Sequence, residues 1–383
     1  MRRDDVTCQL TRSCFCVVKR VMASNDQLGG FEHIPVTVNE NDLESGALKI
    51  LQTIRPHWHV ATIRFKLLTD GITNKLIGCL PEDAPEDETV LVRVYGNKTD
   101  LLIDRKAETQ NILLLSKEGL APNLYATFEN GLAYRYQPGR TLNKTTVYDP
   151  KIYPLVAQKM AQLHKVKVEG VSDPKPFVWK KLRDFLNLVP ETFSSSKVQK
   201  RFEALRLPSQ TDLNQEIIEL QRALEKPDIP IVFCHNDLLL ANVIYTESDH
   251  KVTFIDYEYA AFNYQAFDVA NHFAEFVGME LSEVNYEVDF PSEDFRKNWI
   301  RIYLEEFNKR PPLEGEIEDL HRNVLKFVLV TYVFWGIWAL IQAEHSNIEF
   351  DYLLLAKLRL DEYFSKKTEY LGLDKPIGTN DPS

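Results

Sequence analysis

Apolar and polar positions follow two different rhythms along the chain, and the change comes near residue 135. Before it, short runs with a period of two predict strands over residues 61–69, 76–80 and 89–95, with the acidic loop PEDAPEDE between the last two. A short strand is expected over 36–38, then Leu43, Ala47, Leu48, Ile50 and Leu51 recur at helical spacing until RPHWH ends the helix. A helix over 106–118, two short strands around Glu129-Asn130-Gly131 and a crossing segment at 133–137 complete this part. Beyond it the period becomes helical, over 152–165, 179–188 and 213–224, with a serine-rich loop, SSSK, between the last two. Two brief β-rich runs, 231–234 and 252–255, interrupt the helices, and AFDVANHF returns to helical spacing. No internal repeat appears.

One segment, FVLVTYVFWGIWALI at 327–341, has fifteen uncharged residues. That is short of the roughly twenty that span a bilayer, so it reads as a buried core helix and no transmembrane segment is expected. Hydrophobic residues make up 44% and charged residues 26% of the 383 positions, an ordinary globular profile. The net charge of -11 argues against nucleic acid, whose binding rests on basic patches, and suits a cationic small molecule. The five cysteines form no framework, and the N-terminus lacks an apolar signal core, which together predict a reducing, cytoplasmic setting.

Chemistry concentrates between residues 231 and 258. The apolar run 231–234 delivers His235, Asp237 and Asn242, and the run 252–255 delivers Asp256 and Glu258. The spacing H-x-D-x-x-x-x-N matches the kinase catalytic loop, where the Asp takes a substrate hydroxyl proton and the Asn holds a magnesium ion. Asp237 and Asn242 fit those roles. His235, placed with them in the catalytic set, reads as an orienting, hydrogen-bonded loop histidine rather than a proton carrier. Asp256 stands where a kinase keeps its metal-binding Asp, and Glu258, two residues on, shares its face. Carboxylates and a carboxamide on one side suit hard cations that bridge phosphate oxygens. The plainer reading is a polar loop flanked by surface acids.

The stretches HNDLLLANVIY and FIDYEYAAFNYQAFDVANHFAEF resemble the choline/ethanolamine kinase family. The resemblance runs from about residue 36 to about residue 373, and TDGITNKLIGC, VRVYGNKT, HNDLLL and IDYEY lie nearest the animal ethanolamine kinases. It implies an α+β, bilobal protein-kinase-like fold with a small β-rich N-lobe and a larger helical C-lobe. Residues 1–32 would be a disordered leader, 33–135 the ATP-binding lobe, 136–373 the lobe with catalytic loop and amine pocket, and 374–383 a tail. The cofactors implied are ATP and Mg2+.

In that frame the turn TDGITN resembles the family's phosphate loop, with Gly71, Thr73 and Asn74 at the nucleotide; alone it would be a hairpin turn. Arg93 takes the strand position of a kinase's phosphate-binding lysine, and Glu108 is the acid that pairs with it. Asn242, Asp256 and, at a second ion, Glu258 would hold metal. Trp335 and Trp338, three apart on one helix face, would hold the cationic head group through their rings, with Glu275 facing the ammonium and Ile348 and Tyr352 adding lining. Without the resemblance, such a tryptophan pair is more often core. His164, Asp268, Asn271 and His272 read as structural support, Asp268 bonding the catalytic-loop backbone.

The reaction implied is ATP-dependent phosphorylation of ethanolamine to phosphoethanolamine, the first step of the CDP-ethanolamine route to phosphatidylethanolamine. Choline kinase is the near alternative, and a catalytically inactive kinase-like binding or scaffold protein the further one. Two positions favour the primary amine. Where choline kinases carry a second tyrosine after Tyr352 this chain has Leu355, and Gly278-Met279-Glu280 stands where they carry aromatic and acidic residues.

Overall fold

A computed structural model of the chain describes residues 32–68, 74–96 and 99–372. Residues 1–31 of the expected leader, the expected tail 374–383, and Gly71 and Thr73 of the expected phosphate loop lie outside the described residues, while Glu32, the last residue of that leader, opens the first strand.

The first lobe contains β1 (Glu32–Ile34), α1 (Leu43–Ile54), β2 (Ile63–Leu68), β3 (Asn74–Pro81), β4 (Val90–Tyr95), α2 (Arg105–Lys117), β5 (Leu124–Phe128) and β6 (Gly131–Arg135). Its six strands form one sheet in the order β1-β5-β6-β4-β3-β2, antiparallel except where β1 meets β5. Alternation decides which side chains face where. Val90, Val92 and Val94 join Ile77, Cys79, Ala47, Ile50 and Leu51 in a small core under α1, so Leu91 and Arg93 face the other way, into the cleft. Residues 36–38 do not form the expected strand. The Asn130 side chain bonds both the N–H and the carbonyl of Val38, each at 2.9 Å, and so satisfies that backbone without a strand partner.

The second lobe continues with β7 (Arg140–Thr141), α3 (Tyr153–Leu163), α4 (Val178–Leu186), α5 (Ser196–Ala204), α6 (Gln210–Leu224), β8 (Ile231–Cys234), β9 (Val243–Thr246), β10 (Lys251–Phe254) and β11 (Ala261–Tyr264). It closes with α7 (Gln265–Ala274), α8 (Tyr286–Asp289), α9 (Glu293–Asn308), α10 (Glu314–His345) and α11 (Tyr352–Leu371). The β-rich runs sit in two small sheets, β10-β9-β7 and β11-β8. The serine-rich stretch read as loop instead starts α5, because the Ser195 side chain accepts from Val198 N and caps the helix.

The apolar run at 327–341 is the middle of α10, 32 residues long. Its most apolar 18-residue window passes a length-and-composition test for a membrane span, yet all of that window is buried inside the fold. α7, α9 and α11 pack around it, which is why it is apolar on every face.

Candidate functional site

Two residues in left-handed backbone conformation turn the chain into the cleft. Asn236 follows His235 at the end of β8 with φ 65°, and Asp256 follows β10 with φ 64°. Asn and Asp enter this region at the least cost after glycine. The Asn236 amide donates to the carbonyls of Tyr259 (3.0 Å) and Ala261 (3.3 Å), and its oxygen accepts from Asn263 at 2.8 Å.

Asp268, fully buried on α7, accepts the backbone N–H of His235 at 2.8 Å and of Asn236 at 2.7 Å. His164 Nε2 bonds the same carboxylate at 2.9 Å, and His164 Nδ1 meets the Tyr303 hydroxyl at 2.7 Å. Burial pushes the Asp268 carboxyl up, but the bond and charge of His164 and the N–H groups prevail and hold it below the usual carboxylate range.

His235 has no solvent exposure, and its Nε2 lies 2.9 Å from the Ile255 carbonyl, immediately before Asp256. Burial pushes its pKa down. Within the catalytic set it ties one loop to the other, which is the orienting role expected of it rather than that of a proton carrier. Asn242 Nδ2 donates to the Asp237 carbonyl at 2.8 Å, which leaves Asn242 Oδ1 for a cation.

Asp237, Asn242, Asp256 and Glu258 line one cavity of about 120 Å³ together with Tyr259, Glu275, Met279, Trp335, Trp338 and Leu355. The two acidic clusters therefore converge. Burial, then Asp256, Glu258, Glu275 and Asp268, push the Asp237 carboxyl well above the usual range. Asn242 and Asp256 offer hard oxygen ligands that fit a magnesium ion.

Arg93 connects this cavity to the first lobe. Its guanidinium lies 3.0 Å from Asp256 and 3.1 Å from Glu108 and also bonds Glu258. Arg105, which the sequence reading passed over, pairs with Glu108 at 2.9 Å and Glu258 at 3.3 Å. Glu258 was expected at a second ion. Its Oε2 accepts from both guanidinium groups and serves as their counter-ion, while Glu108, Asp256 and Glu258 together offer ligand oxygens within 4.8 Å of one another. Burial and Asp256 raise the Glu258 pKa against the opposing pull of Arg93.

At the amine end, Trp335 Nε1 donates to Asn271 Oδ1 at 2.6 Å and Trp338 Nε1 to the Tyr259 hydroxyl at 3.1 Å, with the two indoles edge to face at 5.8 Å. Glu275 lines the cavity while Arg359 holds its Oε1 at 2.8 Å. Tyr352 stands behind, edge-on to Trp338 at 6.0 Å with its hydroxyl on Ser346, so it braces the indole rather than lining the cavity. Ile348 is 43% exposed and outside the cavity wall, because residues 346–351 form an open turn between α10 and α11; its expected lining role is corrected. Tyr259 and Arg359 were missed, while Met279, named as a position that sets the amine preference, does line the cavity. The flanking of Tyr259 by Glu258 was the one sequence signal for it.

A second cavity of about 300 Å³ lies under the first-lobe sheet, walled by Leu68, Gly78, Leu80, Thr89, Leu91 and Tyr136. Leu91 is two residues before Arg93 on the same face of β4, so the cavity leads along the sheet toward the acidic cluster. Asn74 begins β3, opposite Tyr95.

A β-rich lobe over a helical lobe, with a basic strand residue reaching the Asp256–Glu258 cluster that shares a cavity with a loop of the H-x-D-x-x-x-x-N type, defines a protein-kinase-like phosphotransferase fold. The Choline/ethanolamine kinase family model matches residues 65–364, and the chain belongs to this family. It is 44% identical to the ethanolamine kinase of Drosophila melanogaster, with 89% of this chain and 80% of that one aligned. Among solved structures, the ethanolamine kinase of Plasmodium vivax superimposes with a TM-score of 0.73 at 26% identity, over 86% of this chain and 89% of the other. An amicoumacin kinase solved with AMP-PNP and Ca2+ shares the fold alone, with a TM-score of 0.54 at 14% identity over 88% of this chain and 96% of the other.

Proposed function

We propose that this chain transfers the γ-phosphoryl group of ATP to the hydroxyl of ethanolamine, giving phosphoethanolamine for phosphatidylethanolamine synthesis. The observation that carries the reading is the one cavity lined both by Asp237, Asn242 and Asp256 and by Trp335, Trp338 and Glu275. An amino alcohol fits that polarity: hydroxyl toward Asp237, ammonium toward the indoles and Glu275. The ethanolamine kinases among the relatives support the choice of substrate.

Asp237 accepts the hydroxyl proton as the oxygen attacks, and Asn242, through its bond to the Asp237 carbonyl, keeps that loop in place. Arg93 presents a planar fork to phosphate oxygens from the roof of the cleft, with the base and ribose under the sheet beside Leu91. Asn242 and Asp256 would hold Mg2+, whose charge would offset that of the phosphoryl group. The indole rings attract the ammonium through their quadrupoles, and Glu275 accepts an N–H that a quaternary ammonium lacks. Choline remains the second reading because the two indoles alone would hold it.

ATP-dependent phosphorylation measured with ethanolamine and choline side by side tests this. Loss of one charge-assisted hydrogen bond amounts to roughly tenfold or more, so kcat/KM is expected to favour ethanolamine by at least that factor. A preference for choline overturns the substrate assignment, and Mg-ATP binding with turnover of neither amine overturns the enzyme.

A further inference from the structure

Arg105 opens α2 beside the three carboxylates whose oxygens lie within 4.8 Å of one another, Glu108, Asp256 and Glu258. The Glu108 side chain is entirely buried and that of Glu258 nearly so, so water screens their repulsion poorly. Two guanidinium groups lie among them. Arg93 reaches all three carboxylates, and Arg105 reaches Glu108 through the other carboxylate oxygen and Glu258 through the oxygen that Arg93 also uses. The Tyr95 ring lies 3.8 Å from the centre of the Arg105 guanidinium and the Thr99 hydroxyl accepts from it, which fixes its plane.

We infer that Arg105 is a positioning residue of the nucleotide site: it holds Glu108 and Glu258 so that Arg93 can present its donors to phosphate. With Arg105 present, the cluster carries one net negative charge; without it, two, and Arg93 alone must serve three buried carboxylates. A guanidinium has five N–H donors in one plane, and those committed to carboxylates are withheld from phosphate. Arg105 stands at the helix start, outside the walls of both cavities, so its effect reaches the ligand through Glu108, Glu258 and Arg93. This inference rests on the phosphotransfer reading above.

The test is titration calorimetry of Mg-ATP binding to the full chain and to R105Q, R105K and R105Q/E108Q, with thermal melting and the KM for ethanolamine at saturating Mg-ATP measured beside it. R105Q is expected to weaken Mg-ATP binding by roughly tenfold or more while the ethanolamine KM stays within about twofold. R105K keeps the charge but its point-like head cannot span both carboxylates, so it should fall between. Removing the surplus carboxylate in R105Q/E108Q should return the affinity toward the unsubstituted value. R105Q or R105K that binds Mg-ATP as the unsubstituted chain does, with a lowered Tm alone, overturns the inference; so does a double variant weaker than R105Q. An unsubstituted chain that binds no Mg-ATP sinks the phosphotransfer reading instead, which keeps the two failures distinct.

Discussion

Asp237 is held in a costly state. Burial, then Asp256, Glu258, Glu275 and Asp268, disfavour its ionised form and push its carboxyl up. A base must be ionised, and in the proposed reaction the positive charges of a bound divalent ion and of the ammonium would bring it there. Asp237→Asn is expected to cut turnover by ~100-fold or more, the low end for a lost general base. It should also raise the Tm of the ligand-free protein near neutral pH. The sign follows from linkage: a carboxyl whose folded pKa is raised stabilises below its unfolded pKa of about 3.9 and loses that contribution as pH rises through the folded value. The Tm gain of the variant should therefore shrink as pH falls toward ~4. A Tm difference that is constant with pH would show that Asp237 is not held neutral, and near-normal turnover would remove it from the base role.

Among the elements, the contact of α10 with α11 builds the amine end of the cavity, and it depends on a close approach at Gly336. A Cβ there would lie 2.9 Å from Leu360 Cγ, a side chain with almost no exposure. Gly336 sits between Trp335 and Trp338, so a shift of α11 moves the wall that carries Leu355 and Arg359. Gly336→Val is expected to destabilise by the ~1–3 kcal/mol typical of overpacking, because the gain in helix propensity is under ~1 kcal/mol. It should raise the KM for the amine more than that for Mg-ATP. Leu360→Ala in the same chain should recover part of the Tm loss. A double variant no better than Gly336→Val would mean the strain lies elsewhere.

For the whole molecule, the net charge of -11 predicts electrostatic capture of a cation. Raising ionic strength from ~0.02 M to ~0.2 M shortens the screening length from roughly 20 Å to about 7 Å, and kcat/KM for ethanolamine should fall across that range. The kcat at saturation should change less. A kcat/KM indifferent to salt would confine the attraction to the cavity itself.

What the sequence determined is what local pattern can carry. The catalytic-loop spacing named Asp237, Asn242 and Asp256, period-two alternation in β4 set Arg93 opposite Val92 and Val94, and the helical spacing of Trp335 and Trp338 put both on one face. Each depends on residues close in the chain. The tertiary structure decided the partners: that both arginines claim Glu258, that Arg359 from α11 holds Glu275, that Tyr259 and Asn271 fix the two indoles, and that Ile348 stays in solvent. Those five bonds join residues 64 to 165 positions apart, and Coulomb attraction or an indole's need for an acceptor leaves no period in the sequence by which to foresee them.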